Sequence, residues 1–286
     1  MRNMVDERFE LVSVIFRLAG CENYGHLETD YQKEVAEKFA KFADHPAIKL
    51  IKSFDGSNGV WVGYHCTLKF IAHLEQEKKD GKYIFIEDIS SLFDTAGNWN
   101  ETASRDFLKL FNDFYVDTDY AEFYQSKIPY FEEVTKIFVD KTYGAIDFEW
   151  FRKYVDPSDL RCIYSLSSGN YGTTVNDKIV YCLVWGNGGA IVHEYCHHLA
   201  HKLADKWYNE NKEFKKWCEE SVNMENMPYY GNGWIMANEY ITRAYDILYK
   251  VQHGEELEEC LSKERDFQFK DSFKYIEEVY NMIVEL

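Results

Sequence analysis

The sequence predicts an α+β fold that is predominantly α-helical, with a small sheet placed directly before a histidine-rich helix. Apolar residues recur at helical spacing over most of the chain. Two short runs rich in β-branched and aromatic residues, 162–166 and 179–185, stand close together in the second half. Glycine and asparagine at 186–189 end the second run, and apolar residues at helical spacing follow at once in 189–204. The strands should therefore lead straight into that helix.

The first half of the chain has the pattern of a helical region that extends over residues 1–157. Asp30 is a suitable N-cap for its second helix. The run at 83–86 is either a short strand or an extended link, and the many aromatic side chains of 103–116 are expected to pack a core. The predicted helices are 6–20, 30–43, 59–75, 103–116, 119–126 and 128–142.

The second half, residues 158–286, begins after Asp156-Pro157 interrupts the helical pattern. A turn-forming run at 167–172 separates the two predicted strands. The sequence contains no repeat and no Pro/Ser-rich linker, so the two halves are expected to pack as one unit. Beyond the histidine-rich helix, the predicted helices are 207–220, 234–250 and 271–285.

Composition limits the kinds of partner that the chain can bind. The 286 residues carry a formal net charge of −17, which disfavours a nucleic-acid backbone or an anionic membrane surface. No stretch approaches the roughly 18 apolar residues that a membrane span requires. We therefore expect no nucleic-acid or membrane partner, whereas a basic or neutral peptide is permitted. The sequence indicates no particular oligomeric state.

The N-terminus does not have the pattern of a secretory signal. Its apolar run, Leu11–Ala19, is interrupted by Arg17 and follows three acidic residues. The seven cysteines are scattered and form no CxxC pair, which is typical of reduced, buried thiols rather than of a structural zinc site. We therefore expect a cytoplasmic protein, or a secreted one if a signal has been removed.

Residues 193–197 carry the HExxH pattern. His193 and His197 are four residues apart, so they project from one face of a helix and can reach one ion, at about 2.0–2.1 Å per nitrogen for zinc. Glu194 lies about 100° round the helix from His193. From there its carboxylate can take a proton from a water that the ion activates. The pattern predicts a metal site on this helix.

Two histidines leave such a site incomplete, because a catalytic zinc takes three protein ligands. His201 is unsuitable, since it stands about 12 Å along the helix axis from His193, and His198 faces another direction. The metzincin pattern requires Gly and His three and six residues after the second histidine, where this chain has Ala200 and Leu203. A separate helix must supply the third ligand.

Glu239, in the predicted helix 234–250, is the best candidate for that ligand. Apolar residues flank it, and a carboxylate is costly to bury unless it is paired or bound to a metal. Glu219 and Glu220 are alternatives, although their segment is strongly charged and typical of a solvent-facing helix. The other interpretation of Glu239 is an ion pair with Arg243, four residues later.

With His193, Glu194, His197 and Asn238-Glu239, the sequence resembles the gluzincins. These are zinc metallopeptidases with HExxH on one helix and a glutamate on a later one. The resemblance implies two histidine ligands, one glutamate ligand, one zinc ion and a general base within the HExxH motif.

More specifically, the whole chain resembles a bacterial domain of unknown function within that group. The resemblance includes the opening 7–20, the turn 169–172 and the tripeptide 238–240. It implies a zincin-like catalytic region over 158–286. In gluzincins the strand before the metal helix commonly pairs with an extended peptide, which would give that role to Ile179–Trp185.

The predicted activity is zinc-dependent hydrolysis of a peptide or protein substrate, with Glu194 as the general base. Glu194 would take a proton from water and later give it to the leaving amine. Two alternatives are open: a zinc hydrolase of a non-peptide amide or ester, and a helical binding protein with a vestigial metal site.

Two supporting roles remain to be filled. An electrophile should stabilise the oxyanion that forms during hydrolysis. Asp246, seven residues after the glutamate ligand, is expected to hold the free nitrogen of a ligand histidine. The candidates for the electrophile are Tyr240 and Arg243, followed by Tyr229 and Tyr230.

Overall fold

The structure of the 286-residue chain is a computed structural model. It consists mostly of α-helices with two small sheets, so the predicted α+β, predominantly helical class is confirmed. Within the described part of the chain, no helix is both long and apolar enough to cross a membrane. The described residues are 4–25, 29–57, 60, 62, 64–79, 81–86, 89, 92, 99–167, 170–175, 179–185, 190–227 and 230–286.

The chain divides into two compact units. Unit 1 contains Met1–Ile146 and Ser158–Gly189, and unit 2 contains Asp147–Pro157 and Ala190–Leu286. This division differs from the predicted boundary after residue 157. The segment with the three-stranded sheet belongs with the N-terminal helices, rather than with the histidine-rich helix that follows it.

Helices α1 to α6 build most of unit 1. The sequence does not predict α3, which begins at Pro46, where the fixed φ of proline suits the first helical position. Helix α6 runs through Pro129, where the sequence predicts two separate helices. Phe123 and Phe131, buried on either side of the proline, anchor the helix and offset its missing backbone hydrogen bond. The bounds are α1 Glu7–Ala19, α2 Asp30–Phe39, α3 Pro46–Lys52, α4 Tyr64–Ala72, α5 Glu101–Asp117 and α6 Tyr120–Lys141.

Side-chain and backbone caps set the ends of the first two helices. Asp6 accepts hydrogen bonds from backbone N–H groups at the start of α1, and Gly20 ends the helix in the left-handed conformation with a φ of 85°. Thr29 caps α2, so the predicted N-cap at Asp30 is wrong by one residue. The reason is a reciprocal pair of hydrogen bonds in which Thr29 and Gln32 each accept from the other's backbone N–H.

Aromatic side chains fill the core of unit 1. The ring centroid of Phe107 lies 4.9 Å from that of Phe70, 5.4 Å from that of Trp99 and 6.0 Å from that of Phe16. These four side chains are buried, and tilted or edge-on contacts of this kind are favourable between aromatic rings. The prediction that the aromatic residues of 103–116 pack a core is confirmed.

Unit 1 also holds both sheets. Strands β1 and β2 pair antiparallel, so the run at 83–86 is a strand rather than a link. The second sheet has the order β3-β5-β4, in which β3 is parallel and β4 antiparallel to β5. The sequence does not predict β4, which begins inside the expected turn. The bounds are β1 Leu74–Gln76, β2 Tyr83–Phe85, β3 Leu160–Ser165, β4 Tyr171–Val175 and β5 Ile179–Trp185.

Strand β5 is the central strand of its sheet. Residues 180–185 pair with β3 on one side, and residues 179–183 pair with β4 on the other. A strand must have a free edge to add a peptide by backbone hydrogen bonds. The expectation that Ile179–Trp185 pairs with an extended peptide is therefore wrong, because this chain occupies both of its edges.

The second sheet is attached to the N-terminal helices. Helix α4 packs beside β4. The backbone N–H of Tyr164 donates to the carbonyl of Met4 at 2.9 Å, and the Tyr164 ring stacks on Phe138 with centroids 4.3 Å apart. These contacts explain why the sheet segment forms part of unit 1.

Helix α10 is the central helix of unit 2, with α8, α9, α11 and α12 packed around it. Every residue from Glu239 to Tyr249 is buried. A β-carbon at Gly233, where the helix begins, would lie 2.7 Å from the Tyr208 hydroxyl oxygen, so glycine lets the Tyr208 side chain lie against the start of the helix. The bounds are α7 Phe148–Phe151, α8 Ile191–Glu210, α9 Lys212–Glu220, α10 Gly233–Gln252, α11 Leu257–Arg265 and α12 Ile276–Val284.

Helix α8 carries the HExxH motif in its first half. Cys196, Ala200 and Ala204, spaced by four residues, are fully buried, and their small side chains allow α10 to lie close. The helix continues to Glu210, and Asn211 then caps α9, so the predicted start of a second helix at residue 207 is wrong. The sequence also does not predict α7 or α11.

Candidate metal centre

Helices α8 and α10 bring together the three predicted ligand residues. His193 and His197, one helical turn apart, have their ring centroids 4.9 Å apart. Glu239 reaches them from the facing side of α10. One nitrogen from each histidine and one carboxylate oxygen all lie within 4.8 Å of one another. Among the described residues, no other set of three His, Cys, Asp or Glu side chains is grouped in this way.

The distances within this cluster suit a single ion. His197 Nε2 lies 3.4 Å from Glu239 Oε1, and His193 Nε2 lies 3.9 Å from Glu239 Oε2. In a tetrahedral zinc site with bonds of about 2.0–2.1 Å, neighbouring ligand atoms are about 3.3–3.4 Å apart. The distance to His197 matches that spacing. The distance to His193 is longer and runs to the other carboxylate oxygen, so the side chains would have to shift slightly to place one oxygen and both nitrogens around a single ion.

The surroundings of the cluster leave its donor atoms ready for a cation. Glu239 is 8% exposed, and its buried Oε2 has no hydrogen-bond partner. The Arg243 guanidinium, whose Nε lies 3.4 Å from this oxygen, offsets part of the cost of burying the carboxylate, and a metal ion would offset more of it. Burial, reinforced by the charges of His197 and Arg243, holds the pKa of His193 well below its ordinary value. His193 is therefore neutral, which is the form that binds metals. These residues fit a divalent cation.

The second nitrogen of His197 is held by two residues of α10. Its Nδ1 lies 2.8 Å from Asn238 Oδ1 and 3.1 Å from Thr242 Oγ1. A neutral imidazole that donates from Nδ1 has its lone pair on Nε2, the nitrogen next to Glu239. Asn238 and Thr242 thus orient the ring and select its tautomer.

The prediction that Asp246 holds a ligand histidine is wrong for His197. The Asp246 carboxylate accepts a hydrogen bond from the Lys250 ammonium at 2.8 Å instead. Asn238 and Thr242 are four residues apart on either side of Glu239, so the helical spacing was a signal for their role. The sequence does not show which face of α10 packs against α8, so it could not show that these two side chains reach His197.

Arg243 is buried and surrounded by groups of its own chain. Its Nη1 donates to Glu264, and its Nε lies 3.4 Å from Glu239 Oε2. The rings of Phe267 and Phe273 lie 4.0 Å and 4.3 Å from the guanidinium carbon. The position of Glu239 is therefore compatible with both interpretations, a metal ligand and an ion pair with Arg243, because its carboxylate faces the histidines and the arginine. The predicted role of Arg243 as an electrophile for substrate does not fit an arginine that is 3% exposed.

Tyr240 does not fit the role of electrophile either. Its side chain is fully buried. Its hydroxyl lies 2.7 Å from the Ser221 hydroxyl and accepts a hydrogen bond from the Tyr275 backbone N–H at 3.4 Å. This prediction is wrong because burial depends on the packing of α9 and α12 against α10.

Tyr230 is the candidate tyrosine that lies beside the cluster. It is partly exposed, and its hydroxyl accepts a hydrogen bond from Arg243 Nη2 at 3.4 Å. Burial, followed by the charge of Glu239, raises the pKa of this hydroxyl, and the charge of Glu194 adds to the effect. The phenol is thus protonated at neutral pH. Tyr229 lies outside the described residues.

Glu194 occupies the first turn of α8 and is 8% exposed. It follows His193 directly, so its side chain points about 100° round the helix from that ligand. Its charge is one of the causes that raise the pKa of the Tyr230 hydroxyl. The arrangement supplies a carboxylate and a phenol beside the ligand cluster.

The alternative ligands lie apart from the cluster. His201 is exposed, packs edge-on against Trp234 with centroids 5.4 Å apart, and lies 3.8 Å from Asp205. Glu219 and Glu220 are exposed on α9 and pair with lysines of their own helix. These positions agree with the helix geometry that disfavours His201 and with the solvent-facing character predicted for the segment of Glu219 and Glu220.

Two imidazoles, one carboxylate, a neighbouring glutamate and a neighbouring tyrosine make up the centre. All of them belong to unit 2. Comparison with known proteins assigns the chain to no family: no family model, no curated protein and no solved structure matches it.

Proposed function

We propose that the protein is a zinc-dependent hydrolase of peptide bonds, with a zincin-like catalytic region in unit 2. The main support is that donor atoms of His193, His197 and Glu239 lie within 4.8 Å of one another. Two histidines and one glutamate are a ligand set of catalytic zinc sites, in which a fourth position is left for water or substrate. Imidazole donors favour zinc over magnesium or calcium, which prefer oxygen ligands.

The residues around the ligands have distinct tasks in this proposal. When bound, zinc supplies a Lewis acid that polarises the scissile carbonyl and lowers the pKa of a water molecule towards about 7. Glu194 takes a proton from that water and later gives it to the leaving amine. Asn238 and Thr242 keep the His197 ring in orientation through its Nδ1. The Tyr230 hydroxyl, which its raised pKa keeps protonated, donates a hydrogen bond to the oxyanion.

Peptides are the proposed substrates because amide hydrolysis requires more than carbonyl polarisation. The leaving amine must also be protonated, and Glu194 is a buried carboxylate that can carry the proton to it. The net charge of −17 favours basic or neutral peptides over acidic ones, since like charges repel during encounter.

The test combines metal analysis with a substrate screen. We expect the purified chain to contain one zinc per molecule and to cleave members of a peptide library. A chelator should abolish cleavage, and added zinc should restore it. Cleavage that persists in metal-free protein would contradict the proposal. Hydrolysis of small esters without peptides would indicate a non-peptide hydrolase, and a chain that binds no stoichiometric metal would indicate a helical binding protein.

A further inference from the structure

The guanidinium of Arg243 is buried among charged and aromatic side chains. Its Nη1 donates to Glu264 on α11, its Nη2 donates to Tyr230 at 3.4 Å, and its Nε lies 3.4 Å from Glu239 Oε2. The ring centroids of Phe267 and Phe273 lie 4.0 Å and 4.3 Å from its central carbon and 6.4 Å from each other, so both rings pack against the guanidinium. Rotating the guanidinium would break one or more of these contacts. The surrounding side chains therefore hold it in one orientation.

Two carboxylates share this single positive charge. Both are largely buried, since the side chain of Glu239 is 11% exposed and that of Glu264 is 12% exposed. Glu264 forms an ion pair with Arg243, whereas Glu239 lies near both Arg243 and the histidines. Oε2 lies near Arg243, and Oε1 lies 3.4 Å from His197 Nε2. Oε2 also lies 3.9 Å from His193 Nε2, so the arginine influences how the Glu239 carboxylate is turned relative to the two histidines.

Glu264 limits how strongly Arg243 can draw Glu239 away from the histidines. In a poorly solvated setting, a cation with one anionic partner binds it more strongly than a cation shared by two. Without the charge on Glu264, Glu239 would remain as the carboxylate in direct ion-pair contact with the guanidinium. The carboxylate would then be held by the arginine at the expense of a metal ion.

We propose that Glu264 is a positioning residue of the metal centre, which holds the Arg243 guanidinium so that Glu239 keeps Oε1 turned towards His197 and available to an ion. This inference rests on the proposed function only for the presence of a metal. It requires no particular substrate.

The test measures zinc affinity by competition with a chromophoric chelator, together with the visible absorption of the cobalt-substituted protein. We expect Glu264→Gln, which keeps the shape and removes the charge, to weaken zinc binding about 10- to 100-fold. The cobalt spectrum should change, because the carboxylate ligand is displaced. Glu259→Gln is the matched control: Glu259 lies on the same helix and is exposed beside Lys263. This variant should bind zinc and cobalt as the wild type does.

A double-mutant cycle separates positioning from a direct effect of charge. If Glu264 acts through Arg243, then Glu264→Gln should cause no further loss of zinc affinity in an Arg243→Gln background. An equal loss in both backgrounds would overturn the proposal, because it would indicate direct attraction between Glu264 and the ion. Wild-type affinity in Glu264→Gln would also overturn it.

Two further comparisons keep the result decisive. If Glu264→Gln fails to fold, Glu264→Asp keeps the charge but shortens the reach, and it should give a smaller loss of zinc affinity. Unchanged affinity in that variant would overturn the proposal. A wild-type chain that binds zinc but hydrolyses nothing would remove the peptidase proposal and leave the role of Glu264 supported by the affinities. A wild-type chain that binds no zinc would overturn both.

Discussion

Replacing Asn238 with alanine is expected to weaken zinc binding without removing a ligand. Asn238 Oδ1 lies 2.8 Å from His197 Nδ1, and Thr242 Oγ1 lies 3.1 Å from the same nitrogen. Loss of the amide removes the shorter of two hydrogen bonds that fix the ring and its tautomer. The hydroxyl of Thr242 remains, so the imidazole keeps one partner.

The size of the effect follows from these two contacts. One hydrogen bond between neutral groups contributes about 0.5–1.5 kcal/mol. At 1.4 kcal/mol per tenfold change, this is about a 2- to 12-fold loss of zinc affinity in Asn238→Ala. The double variant Asn238→Ala/Thr242→Val removes both partners and should lose about 10- to 100-fold, the range found when groups that orient metal ligands are removed.

The assay is chelator competition for zinc, with thermal unfolding recorded for each variant. Asn281→Ala provides the matched control, because Asn281 is an exposed asparagine on α12. It should bind zinc as the wild type does. Wild-type affinity in both Asn238→Ala and the double variant would refute the role assigned to these hydrogen bonds.

Three other changes probe the ligand set, the electrophile and the core of unit 1. Glu239→Ala should lower zinc affinity at least about 10- to 100-fold. His201→Ala, which alters an exposed side chain, should leave the affinity unchanged. If Glu239→Ala binds zinc as tightly as the wild type in chelator competition, the third ligand must be another residue. Tyr230→Phe should lower kcat by about 10²- to 10³-fold, the usual effect of losing one oxyanion donor. An unchanged kcat in steady-state kinetics would show that Tyr230 takes no part in the mechanism. Burial raises the pKa of Glu10 from 4.5 to about 7, so the folded chain keeps a proton that the unfolded chain loses as the pH rises between these values. The free energy of unfolding should therefore fall by about 3 kcal/mol from pH 4 to pH 8 through this group. Urea unfolding at several pH values should show that Glu10→Gln abolishes this fall and that the exposed control Glu22→Gln keeps it. Identical pH profiles for the wild type and Glu10→Gln would contradict a raised pKa for Glu10.

The sequence was sufficient for the parts of the site that depend on local periodicity. His193 and His197 fall on one face of a helix by spacing alone, and Glu239 stands out as a carboxylate among apolar residues of a later helix. The structure brings these three together because small residues on α8 allow α10 to lie close. Local sequence pattern is therefore enough to identify the three members of the cluster.

The errors concern properties that only tertiary packing determines. Tyr240 and Arg243 have suitable chemistry for an electrophile, but α9, α11 and α12 bury them. Glu264 lies on a short, strongly charged helix that the sequence does not predict, and its importance depends on contact with a residue 21 positions away. Helix α6 continues through Pro129 because the buried face on both sides of it outweighs a local signal to stop. Periodicity carries no information about such distant partners.

The most direct test of the central claim compares the wild type with Glu194→Gln for both zinc content and peptide cleavage. Glu210→Gln, an exposed change at the end of the same helix, serves as the control. We predict one zinc per chain in all three proteins. Cleavage should fall about 10²- to 10⁴-fold in Glu194→Gln alone, the range for loss of a general base. A wild-type protein without zinc, or a Glu194→Gln protein that cleaves peptides as fast as the wild type, would contradict the claim that unit 2 is a zinc peptidase.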